Sequence, residues 1–215
     1  MIISRGRRYI FVHIPKTGGT SLAAALEARA MKDDLLIGDT PKARRRKGRL
    51  KELSAKGRIW KHMTLSDAEG LVARPDLEDF FVFTLVRNPW DRAVSYHSWL
   101  RAQSFDHQAV TLARRLAFSE FLNHPHTQAS LAMASYGSYV ALPDGREGCD
   151  MYLRLEDLAP HIERLEGALG FPIGPIPRLN PSERPMDYRS AYTDADAELL
   201  SELAAEDIKR FGYTF

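Results

Sequence analysis

YIFVHIPKTGGTSLAAALEARAM, residues 9–31, decides how this chain is read. Its first six residues form an apolar, β-rich run that stops at Pro15, and SLAAALEARAM has the alanine and leucine content of a helix. The order is strand, tight loop, helix. It recurs at residues 80–100, where FFVFTLV is apolar on both faces, as a buried parallel strand should be, and NPWDRAVSYHSWL opens like a helix. There Asn88 stands at the N-cap, Pro89 at N1 and Asp91 in the first turn, where the helix dipole favours an acid. A third run, CDMYLRLEDL at 149–158, leads towards an amphipathic stretch around HIERLEGAL. Three such units predict an α/β fold with a central parallel sheet and right-handed crossovers.

Further out, residues 105–134 carry helical patterning, and 171–187 hold five prolines and read as a stiffened loop. In the tail, Thr193 is an N-cap candidate, acids fill the first turn, and Lys209 and Arg210 close a helix before Gly212. The 215 residues suit a single domain, 1–215, with a basic insertion at about 40–60. One cysteine, Cys149, permits no intramolecular disulfide, and the apolar run 9–14 is too short for a signal sequence. No segment approaches the ~18 apolar residues of a membrane span. A cytoplasmic protein without membrane partners is expected, and a net charge of +2 gives no ground for a nucleic-acid partner.

The chemistry concentrates in PKTGGTS, Pro15–Ser21. Gly18 and Gly19 let backbone amides approach an anion, Lys16 adds a charge, and Thr17, Thr20 and Ser21 add hydroxyls at a helix mouth. The same string also suits a plain turn with an N-cap. The order is not that of a Walker A loop, in which lysine follows the second glycine, so a conventional nucleotide hydrolase is disfavoured. In the second unit Arg87 ends a buried strand and Ser95 follows about two turns into the helix. A guanidinium fork there suits a phosphate.

FVHIPKTGGTSL at 11–22 and LVRNPWDRAVSYH at 85–97, in this order, resemble the two nucleotide motifs of the carbohydrate-type sulfotransferases. YLRLEDL at 152–158 and the tail extend the resemblance. It implies a three-layer, P-loop-like α/β fold and 3′-phosphoadenosine 5′-phosphosulfate (PAPS) as co-substrate, with no metal. By resemblance, Lys16, Thr17, Gly18, Gly19, Thr20 and Ser21 would hold the 5′-phosphosulfate, Arg87 and Ser95 the 3′-phosphate, and Arg184 would touch the donor from the tail. The implied activity is O-sulfation of a hydroxyl-bearing acceptor, an oligosaccharide or a small molecule.

Sulfuryl transfer needs a cation at the leaving group, for which Lys16 is placed, and a base for the acceptor hydroxyl. Seven histidines compete. His62 is preferred because members of the resembling family have a histidine between the two nucleotide motifs; Lys61 replaces the glycine that often precedes it there. His13 is the reserve, placed to orient the loop, and His97 reads as a packed helix residue. His124 and His126 flank a proline and make a poor metal pair in a chain with one cysteine. Residues 42–61 hold ten Lys or Arg, which reads either as a solvated insertion or as an electropositive lip. Two other functions fit the residues: a non-catalytic polyanion-binding protein of the same fold, and a small-molecule kinase.

Overall fold

Ile2–Ser4 (β1) and Tyr9–Val12 (β2) form an antiparallel hairpin whose strand residues are all buried. Leu35–Leu36 (β3) pairs antiparallel with β1, while Phe81–Val86 (β4) pairs parallel with β2, and Met151–Arg154 (β5) parallel with β4. The sheet order is β3-β1-β2-β4-β5. The computed structural model describes residues 1–179 and 187–215; Arg184 and its neighbours Asn180 and Ser182 lie outside the described residues. The three strands expected from the sequence are the parallel core. To this expected parallel centre β1 and β3 add two antiparallel pairings at one edge. The fold is thus mixed α/β, with a central, mostly parallel sheet flanked by helices.

In chain order the helices are α1 (Gly19–Ala28), α2 (Pro41–Arg46), α3 (Arg74–Asp79), α4 (Pro89–Arg101), α5 (Gln108–Arg115) and α6 (Phe118–Asn123). They continue with α7 (Pro125–Ala132), α8 (Tyr136–Val140), α9 (Leu158–Leu169), α10 (Asp194–Leu203) and α11 (Ala205–Phe211). The residues group into two compact units, Met1–Val86 with Tyr136–Leu179, and Arg87–Ser135 with Asn180–Phe215.

The first unit contains the whole sheet. Tyr9, Phe11 and Phe83 share one face of it, with ring centroids 5.5–5.8 Å apart, and Leu22 and Leu26 of α1 and Leu165 of α9 pack in the same cluster. Burial of that many large apolar side chains, each contributing about 1.5–3 kcal/mol, fixes α1 against β2 and so fixes the loop between them.

The second unit is helical among its described residues. Leu100 of α4, Ala109, Val110 and Ala113 of α5, and Phe121 of α6 form its core. Thr193 caps α10 in a reciprocal box with Asp196, whose other oxygen accepts from Ser119 Oγ (3.0 Å) and Asn123 Nδ2 (2.7 Å). The tail helix expected from the sequence is therefore present but broken in two at Ala204, whose backbone (φ −114°, ψ 22°) leaves the helical region.

Candidate functional site

β2 delivers the chain into a turn at Pro15–Gly18, and α1 starts at Gly19. Two turn residues take left-handed backbone angles, Lys16 at φ 66° and Gly18 at φ 83°. For glycine that conformation costs nothing; for lysine it stores strain on the order of 1 kcal/mol or more. Strain at the one loop residue with a long cationic side chain points to function. The first turn of α1 has no side-chain cap and no acidic residue, so no side chain of that turn opposes an anion at its positive end, while Ser21 N already bonds Gly18 O at 3.1 Å.

Both glycines are also sterically required. A Cβ at Gly18 would lie 2.7 Å from Leu155 Cδ1, and one at Gly19 would lie 2.3 Å from His13 Cδ2. Leu155, just after β5, and His13, just after β2, therefore wall the loop. The hydroxyls differ from the sequence expectation in one respect. Thr17 is buried, and its Oγ1 donates to Ile14 O at 2.9 Å, so it braces the turn from within. Ser21 Oγ accepts from the Leu179 amide at 3.1 Å, which seats Leu179 against the first turn of α1.

Next to the loop lie His62, the preferred histidine, and His13, its reserve. Their ring centroids are 4.8 Å apart, one ring edge-on to the other. His62 Nδ1 is 2.7 Å from His13 O, a contact that requires Nδ1 to carry the proton and leaves Nε2 as an acceptor. Burial depresses both: His62 falls to about 3 and His13 goes well below the usual histidine value. Lys61 and the buried N-terminal amine push further in the same direction, while the His13 carbonyl opposes the shift at His62. Both rings are neutral at physiological pH, and neutrality is the state a general base needs.

The second unit places the other motif. Arg87 Nε and Nη2 both bond Asp91 Oδ2, at 2.8 and 2.7 Å, with the pair largely buried. Ser95, also buried, sits one turn beyond Asp91 on the same helix face. Asn88 caps α4 as expected, its Oδ1 accepting from Trp90 N at 3.0 Å, and its amide donates to Thr214 O at 2.9 Å. Asp91 was read from sequence only as a dipole partner. Its second role, clamping Arg87, follows from the same four-residue spacing.

Three of the remaining five histidines have local tasks. His97 packs on Phe118 and Phe121 with Nε2 3.2 Å from Leu116 O, while His107 and His124 use Nδ1 to accept the second amide of α5 and of α7. Sequence reasoning missed Leu155 and Trp60. The second of these sits edge-on to His62 at 5.3 Å.

A protein-family model described as the sulfotransferase family matches residues 1–213. No curated protein matches the chain. Among solved structures, the mouse sulfotransferase SULT7A1, complexed with PAP, is similar at 16% identity with a TM-score of 0.56, over 96% of this chain and 85% of that one. At that identity the likeness speaks for the fold.

Proposed function

Because the chain belongs to the sulfotransferase family, we propose that it transfers the sulfuryl group of PAPS to a hydroxyl of an acceptor. The observation that carries this reading is the Pro15–Gly18 turn: a strained lysine and an uncapped helix mouth directly beside two neutral histidines. Lys16 and the amides of Gly19 and Thr20, with the Thr20 and Ser21 hydroxyls, bind the 5′-phosphosulfate. Arg87 and Ser95 bind the 3′-phosphate, an assignment supported by the sequence motif and by the clamp that presets the guanidinium. In the reaction the acceptor oxygen bonds to sulfur as the sulfur–oxygen bond to the nucleotide phosphate breaks. Lys16 stabilises the negative charge left on that phosphate, and His62 Nε2 takes the hydroxyl proton. The charge of bound PAPS raises the His62 pKa from its depressed value and strengthens it as a base.

Titration calorimetry with 3′-phosphoadenosine 5′-phosphate (PAP), beside ATP and an Arg87→Ala variant, tests the proposal. Micromolar PAP binding that Arg87→Ala weakens by at least tenfold, with ATP much weaker, is expected; preference for ATP would overturn it. His62→Ala should retain PAP binding and lose turnover, whereas Lys16→Ala should lose both.

A further inference from the structure

Trp60 is 43% exposed, and the backbone around it is pinned by hydrogen bonds. Its carbonyl accepts from Met63 N at 3.1 Å, and Met63 is fully buried. The following turn is locked by reciprocal bonds between Thr64 and Asp67, and Leu65 N donates to Tyr139 O at 2.8 Å. Lys61 pairs with Asp39 at 2.6 Å, and His62 is held by the His13 carbonyl. An indole ring thus stands at the surface, edge-on to the candidate base, with the Arg58 guanidinium 5.8 Å from its centroid. Single exposed aromatics are common and need no explanation. This one differs in touching the histidine that would meet the acceptor.

We infer that Trp60 is an acceptor-positioning residue, a preset platform on which a ring of the acceptor stacks so that an adjacent hydroxyl reaches His62 Nε2. The inference rests on the sulfotransferase reading above and adds a substrate class to it: ring-bearing alcohols. A flat aryl face or the C–H face of a sugar ring covers the exposed indole, whereas an open-chain alcohol leaves it wet. Arg58, whose guanidinium lies over one side of the ring, leaves the acceptor the other side and favours an anionic substituent on it. Because the platform is already ordered, stacking costs little conformational entropy.

The test titrates PAP-loaded protein with 4-nitrophenyl β-D-glucuronide, which has rings and a carboxylate, and with D-gluconate, an open-chain polyol of the same charge. Wild type, Trp60→Ala and Trp60→Phe are compared. Expected is a clear preference for the ring-bearing probe, about a tenfold loss in Trp60→Ala and recovery to within about threefold in Trp60→Phe, with PAP affinity equal in all three. Equal PAP affinity also shows that the variants fold. No binding of the ring-bearing probe, equal binding of gluconate, or unchanged affinity in Trp60→Ala overturns the platform while leaving the donor site standing. Failure of the wild type to bind PAP would instead remove the sulfotransferase reading, and this inference with it.

Discussion

At Lys16 the proposed role in donor binding meets a backbone cost in a single dihedral angle. Its φ of 66° is one that glycine adopts freely, so Lys16→Gly relieves strain while deleting the cation. The expected outcome is a melting temperature no lower than wild type with PAP affinity reduced at least tenfold; a large loss of stability would contradict the strain argument. Gly19 behaves oppositely. Its added Cβ would overlap the His13 ring at 2.3 Å, so Gly19→Ala must displace the ring that backs the loop, and loss of PAP binding is expected in calorimetry. The two histidines give a pH signature. Their folded-state pKa values are depressed, so the unfolded chain binds more protons below about 6.5, and stability is complete above that value and falls as pH drops below it, for His62 down to about 3. Each contributes a slope of up to about 1.4 kcal/mol per pH unit, which urea unfolding between pH 7 and 4 would measure. In His62→Gln, which keeps a donor for the His13 carbonyl, the slope should flatten.

At the scale of elements, part of the basic run closes the end of α1. Lys42 bonds Glu27 O, Arg46 bonds Met31 O at 2.8 Å, and Arg49 bonds Lys32 O, so three cations satisfy carbonyls at and just beyond the end of α1. Residues 41–50 are helix and 3-10 turn, started by Thr40, whose Oγ1 accepts from Ala43 N at 3.1 Å and donates to Glu27 at 2.6 Å. A composition reading sees charge density there and misses this, because Thr-Pro as an N-cap is a two-residue signal hidden in a run of arginines. The three core strands were legible because strands buried on both faces read as unbroken apolar runs. β1 and β3, with three and two residues, are too short to show any period. Asn88 and Thr193 were legible as caps because a cap is local chemistry. By contrast, Leu155 and Trp60 matter through contacts with residues distant in sequence, and no local pattern encodes those. Asn88 tests the cap argument: beyond Trp90 N it holds Tyr188 and the Thr214 carbonyl, so Asn88→Ala should cost about 2 kcal/mol in urea unfolding, above an ordinary cap.

For the molecule as a whole, a net charge of +2 conceals segregation. Residues 42–61 hold ten basic residues against one acid, Glu52, which leaves twenty basic and 27 acidic residues in the rest of the chain. A polyanionic donor approaching an otherwise acidic protein gains from one concentrated positive region, and that gain appears in the association rate and fades with salt. Two triple variants separate this from the structural role, since each removes the same charge. Arg44→Gln, Arg45→Gln and Lys47→Gln change exposed side chains; Lys42→Gln, Arg46→Gln and Arg49→Gln strip the carbonyl partners of the α1 end. If the run steers the donor, stopped-flow PAP association slows roughly threefold in both at low salt and converges with wild type at high salt, with dissociation unchanged. Only the second triple should also lower the melting temperature. If neither changes the association rate, the concentration of charge serves the end of α1 alone, and the electropositive lip is not a functional feature of the site.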